Sequence, residues 1–144
     1  MGMMRAADKI KDLRRFLEEL GRIVPKSVEE YKSKIEKKAA CERYAEKIIE
    51  ALTDLAFLTI KSRKLRMPES DTDAFDILAE NKIITDELCI KLKKAKGMRN
   101  IIAHEYGSID DETVFEAITK ELPKDAKDFI RAVKHENRRN IRHA

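Results

Sequence analysis

The sequence predicts an all-α protein, an up-and-down bundle of about five to six helices. Three observations lead there. Apolar residues recur at spacings of three and four, the period of one helix face. The composition is 42% hydrophobic and 40% charged, with four glycines and three prolines, and is rich in the good helix formers Lys, Glu, Leu, Ala and Arg. No strand-like alternation and no internal repeat is found. At 144 residues the chain has the size of one ordinary domain.

Ile10, Leu13, Leu17 and Leu20 form the first stripe, which ends near Gly21 and Pro25. Ser27-Val28-Glu29-Glu30 reads as a capping box, in which Ser27 takes an orphan N–H and Glu30 returns a bond. A long helix is expected from residue 28 to 64. Val28, Tyr31, Ile35 and Ala39 make one stripe; Ala45, Ile48, Leu52, Leu55 and Thr59 make a second, slightly rotated one. Unbroken, it would be roughly 55 Å long, too long for one small core, so a kink near residues 36–40 or a partner beyond its end is expected.

Ser70-Asp71-Thr72-Asp73 caps a short helix bearing Phe75, Ile77 and Leu78, with Ile83 beyond. Thr85-Asp86-Glu87 opens the next, with acids suited to a helix N-terminus. Leu88, Leu92 and Ala95 face inward there, and Lys91, Lys93, Lys94 and Lys96 are expected in solvent. Asp110-Asp111-Glu112 opens a helix carrying Val114, Phe115, Ile118 and Leu122. Pro123 is expected at the first position of a last helix carrying Ala126, Phe129, Ile130 and Val133. One domain is expected over 1–133, with a basic tail over 134–144.

The net charge of +4 is unevenly spread. From residue 131 onward Arg131, Lys134, Arg138, Arg139 and Arg142 stand against Glu136 alone, so the first 130 residues are neutral. Such an end can hold a polyanion by counterion release or be merely solvated. Cys41 and Cys89 lack any paired spacing, so neither a zinc motif nor a disulfide framework is expected. No signal-like N-terminal run and no apolar run near the roughly 20 residues of a membrane span occurs; a soluble, cytoplasmic protein with no membrane partner is expected.

The chemistry concentrates in Gly97-Met98-Arg99-Asn100-Ile101-Ile102-Ala103-His104-Glu105-Tyr106-Gly107. On a helix Met98, Ile101 and Ile102 would anchor this stretch. Asn100 and His104 would share a face, with Arg99 roughly 140° round from His104. Gly107 is placed to end the helix and Tyr106 to sit at its frayed end. A guanidinium grips phosphate oxygens in a fork, an imidazole moves protons near neutral pH, and an amide orients either. RNA carries its own nucleophile, the 2′-hydroxyl, so this set can act on RNA with no metal and no cofactor. By spacing alone, an Arg and a His on one helix are more often a structural pair, and both readings stay open.

The stretch resembles the signature of the HEPN superfamily: an Arg and a polar residue, a spacer, then His. Tyr106, two residues after His104, resembles the HepT-like branch. Further matches are Cys41-Glu42-Arg43-Tyr44 through Glu50-Ala51-Leu52-Thr53-Asp54, and Met67-Pro68-Glu69-Ser70 followed by Ala74-Phe75-Asp76-Ile77-Leu78-Ala79. They cover roughly residues 8–133. The resemblance implies a homodimer with both motifs lining one cleft. It implies a metal-independent ribonuclease toxin, in some members acting on tRNA, paired with an MntA-like minimal nucleotidyltransferase antitoxin in a type VII toxin–antitoxin system. Arg99 and His104 would be catalytic, Asn100 supporting, and Tyr106 the acceptor of AMP, its modification blocking the site. Lys91, Lys93, Lys94 and Lys96 are candidate RNA contacts. Arg43 and Glu50 fall at branch positions and read as packing or support. The alternative function is a non-catalytic subunit that binds nucleotide or docks a nucleotidyltransferase.

Overall fold

The computed structural model describes the backbone of residues 5–104 and 110–143 and the side chains of 5–102 and 110–135. Among the described residues every regular element is helical: α1 (Ala6–Ile23), α2 (Val28–Ser33), α3 (Ile35–Ser62), α4 (Asp71–Glu80), α5 (Asp86–His104), α6 (Asp111–Glu116) and α7 (Leu122–His143), with a π-helical turn at Ala117–Glu121 joining the last two. The predicted all-α bundle is therefore present.

The core is built around α3. Its 28 residues, about 42 Å of helix, pack against α1, α4, α5 and α7. Ala45, Ile48, Ile49, Leu52, Leu55, Ala56, Thr59 and Ile60 are all buried on it. The apolar stripes read from the other elements land inside as well. Ile10, Leu13 and Leu20, then Phe75, Ile77 and Leu78, then Ile118, Leu122, Ala126, Phe129, Ile130 and Val133 join one cluster. Phe75 and Phe129 meet edge to face at the junction of α4 and α7, a favoured aromatic geometry. No helix among the described residues is long and apolar enough to cross a membrane.

Four local expectations are corrected. The long helix breaks at Lys34, whose φ −108° and ψ 93° are extended, slightly before the expected kink. The break ends the Val28–Tyr31 stripe, and Ile35 is 79% exposed. The capping box is split: Ser27 Oγ accepts the Glu30 N–H, but Glu30 Oε2 accepts from the Lys26 N–H instead of from Ser27. Pro123 is the second residue of α7 and lies within a continuous helical run. Having no N–H, it cannot bond the carbonyl one turn back. The helix widens just before it, where the Leu122 N–H reaches the Ala117 carbonyl. Lastly, Lys96 is buried.

Two turns end in the left-handed region without glycine. Lys64 has φ 56° and Lys82 has φ 60°. In each, the next residue's N–H bonds a carbonyl five back, Leu65 to Ile60 and Ile83 to Leu78, the closure of a Schellman ending. A Cβ is disfavoured there. Lys82→Gly is expected to stabilise the fold by about 0.5–1 kcal/mol, seen as a higher urea midpoint; a lower midpoint would contradict this.

Arg66 ties the loop after α3 to α4, bonding Asp73 through both Nη atoms at 2.9 and 3.0 Å and Glu80 at 3.0 Å. This fork, then the Glu69 N–H, holds Asp73 below the usual carboxylate range. A depressed pKa stabilises the folded state above the ordinary carboxylate value and loses that contribution as pH falls. Both cysteines are free and buried. Burial, then a bond to Asp76, pushes the Cys89 thiol up from 9.0 to about 11. Its contribution is complete below pH 9 and is lost as pH rises through about 11. At neutral pH, Cys89 is expected to react with a thiol reagent much more slowly in the folded protein than in urea-unfolded chain.

Candidate functional site

The motif from Gly97 to His104 occupies the C-terminal end of α5, which packs on α3, α4 and α7. Thr85 caps the helix, its Oγ1 accepting the Leu88 N–H at 3.0 Å. Leu88, Leu92 and Ile102 are buried and Met98 is partly buried against the same core. Ile101, expected as an anchor, is 38% exposed. Helix rotation explains this: the inner face passes through 98 and 102, and 101 falls outside it.

Arg99 is held across the helix pair. Its Nη2 donates to Glu50 Oε1 on α3 at 2.6 Å, and Nη1 lies 3.5 Å from Asn100 Oδ1. The Arg99 side chain is 23% exposed and Glu50 43%. Its Nε is buried and meets no acceptor among the described residues. The guanidinium is thus fixed at one end by a carboxylate that still touches water, with donors left to offer. A half-buried cation needs such a partner, and a phosphate arriving at Arg99 would share or displace Glu50.

The backbone of α5 continues through His104, so Asn100 and His104 stand one turn apart. The side chain of His104, and Tyr106 and Gly107 entirely, lie outside the described residues. Arg43 is mostly exposed and faces Glu46 at 3.7 Å.

The lysines do not form the free cationic face the sequence suggested. Lys91 pairs with Glu87 at 3.2 Å, Lys93 with Asp76 at 3.0 Å, and Lys96 with Asp71 at 3.0 Å. Two of those acids belong to α4 and were invisible to a reading of α5 alone. Lys96 is buried because its stem crosses the α4–α5 contact before its ammonium reaches Asp71. Only Lys94 of the four is exposed with no ion pair among the described residues. No group of three or more His, Cys, Asp or Glu among the described residues is placed to hold a metal ion.

Glu50 is the residue whose role the sequence understated. Its signal was indirect: it matched a family position, and an arginine at a packed helix contact needs a counter-charge.

Against known proteins, a family profile described as ribonuclease HepT-like matches residues 7–133. The chain belongs to the HepT-like family. It is 36% identical over 87 residues to the mRNA nuclease HepT of Shewanella oneidensis, a match covering 60% of this chain and 65% of that protein. The chain thus spans about two thirds of that relative's length. It is 30% identical over 105 residues to the tRNA nuclease HepT of Aphanizomenon flos-aquae, covering 73% of this chain and 71% of the other. Among solved structures it resembles the tri-AMPylated HEPN toxin of Shewanella oneidensis in complex with its MNT antitoxin. There the TM-score is 0.84 at 26% identity, covering 90% of this chain and 96% of that one.

Proposed function

We propose that this chain is a metal-independent endoribonuclease toxin of a type VII toxin–antitoxin pair, cleaving RNA, with tRNA one candidate target. The observation that carries the reading is Arg99: a half-buried guanidinium, oriented by Glu50 and Asn100, one helical turn or so from His104 on a HepT-like scaffold. Arg99 binds the scissile phosphate. The 2′-hydroxyl of the substrate attacks phosphorus while the 5′-oxygen leaves, giving a cyclic phosphate and a free 5′-hydroxyl. His104 moves the proton as general base or acid, and Asn100 orients phosphate or imidazole. Because the nucleophile comes with the substrate, cleavage is expected to persist in excess EDTA; its abolition would contradict this step.

A homodimer joins two such sites. Ile90, Lys94, Gly97 and Ile101 are all exposed and step 4, 3, 4 along α5, a single stripe. Ile90 is 67% exposed, and a Cβ at Gly97 would meet nothing within 4 Å, so a second helix can approach there. The stripe continues to position 104. A copy packed on it sets the two motifs side by side. Ile101→Lys is expected to give monomers by analytical ultracentrifugation and to lose cleavage with them; an unaltered dimer would remove this interface.

Regulation follows from Tyr106. A nucleotidyltransferase partner of the MntA kind adds AMP there, placing negative charge and bulk beside Arg99 and His104. Named relatives that are mRNA and tRNA nucleases, and an AMPylated toxin bound to its antitoxin among the structural neighbours, support the reading. The test is purified protein. His104→Ala should leave RNA intact where wild type cleaves it. Co-expression with the nucleotidyltransferase should add AMP mass to wild type and none to Tyr106→Phe. Equal cleavage by His104→Ala and wild type would favour the non-catalytic subunit instead.

A further inference from the structure

The site's lysines are mostly spent on acids, yet the chain carries a net charge of +4, and several cations with no ion pair among the described residues lie together elsewhere. A groove of about 680 Å³ runs between α1 and α7, and Arg14, Lys127, Arg131 and Lys134 line it. Among the described residues Arg14, Lys127 and Lys134 have no acidic partner. Arg131 is 79% exposed and only 3.5 Å from an Asp128 that Lys124 already holds at 3.0 Å. The one acid in the groove, Glu18, is bonded to Arg22. Leu17 and Ile130 supply an apolar floor, and His135 also lines the groove.

We infer that the α1–α7 groove is an RNA-binding exosite, separate from the α5 motif, that takes a single-stranded segment of the substrate. Uncompensated cations on both walls match a phosphate backbone. The lining also holds the Arg14 and Arg131 guanidinium planes and the His135 ring, the kinds of side chain on which unstacked bases lie at single-stranded sites. The backbone of α7 continues through His143, carrying the sequence positions of Arg138, Arg139 and Arg142 onward from the groove. The contrast is internal to the molecule. Lys91, Lys93 and Lys96 are neutralised next to the motif, while Arg14, Lys127 and Lys134 are left open on the groove. The inference rests on RNA being the substrate class; it concerns where affinity arises and leaves the cleavage chemistry unaltered.

The test uses the full chain and a fluorescein-labelled single-stranded 2′-O-methyl RNA, which binds but lacks the nucleophile for cleavage. Anisotropy titrations at several salt concentrations compare wild type with the triple variant Arg14→Gln, Lys127→Gln, Lys134→Gln. The expected result is affinity lowered at least about tenfold and a log–log salt slope shallower by about 2, roughly 0.7 for each of three lost phosphate contacts. The melting temperature should be unchanged, because none of the three side chains is buried. Equal affinity and slope in the two proteins would overturn the exosite while leaving cleavage by wild type as evidence for the function. Unchanged RNA affinity with weakened capture of the nucleotidyltransferase would assign the groove to a protein partner and also overturn it. Loss of affinity in the triple variant, with no RNA cleavage by wild type, would uphold the groove and sink the nuclease reading.

Discussion

Arg99→Ala is expected to cleave RNA about 10²- to 10³-fold more slowly than wild type, the usual cost of removing one preorganised stabiliser of transition-state charge. Its fold should be intact. The partner left behind, Glu50, is 43% exposed and can turn to water, and ion pairs with such access to solvent contribute about 1 kcal/mol or less. Activity and stability therefore separate at this position. Arg99→Lys sharpens the test. It keeps the charge but loses the fork that serves Glu50 and phosphate together, so a rate well below wild type is expected even though the net charge is unaltered. Rates come from time courses on a defined RNA, and stability from thermal melts of the same preparations. A full rate in Arg99→Ala would remove its phosphate-binding role. A melting temperature far below wild type would make the residue primarily structural.

Phe129→Ala is expected to do the reverse: about 3–5 kcal/mol of stability lost. Phe129 is fully buried and its ring lies 6.0 Å from that of Phe75 at an interplanar angle of 79°. Truncation leaves a cavity between α4 and α7 that close-packed neighbours fill only in part. For a domain of this size the melting temperature should fall on the order of 10 °C, with a parallel drop in urea midpoint. A loss below about 1 kcal/mol would show that the junction repacks. Of the two substitutions, Arg99→Ala strikes the proposed chemistry and Phe129→Ala the frame that presents it.

The fold was legible because its signals are local. Helix period, cap residues and breakers act within a few residues of one another, and Ser70 caps α4 by accepting the Asp73 N–H at 3.1 Å, as its position predicts. The misreadings have local causes too. Lys34 breaks a run whose composition is helical throughout, and a stripe drawn across the break put Ile35 inside. Pro123 reads as a helix start by rule, but a π-helical turn lets one helical run pass through it.

The site was legible as a set of residue types and opaque as a set of charges. Arg99, Asn100 and His104 share one helix, so their relative placement follows from the period. What each cation faces depends on residues far off in the chain. Glu50 is 49 positions from Arg99 and Asp76 is 17 from Lys93, and no spacing rule reaches across such gaps. The sequence by itself determined the helical class, the apolar faces and the family, since these rest on periodicity and on motif residues near one another. Only the tertiary structure decided which charges are cancelled. Helix packing brings α3 and α4 carboxylates onto the α5 cations and leaves Arg14 of α1 and Lys127 and Lys134 of α7 without an acidic partner among the described residues. Ion pairing depends on distances of 3–4 Å in space, which chain order does not encode.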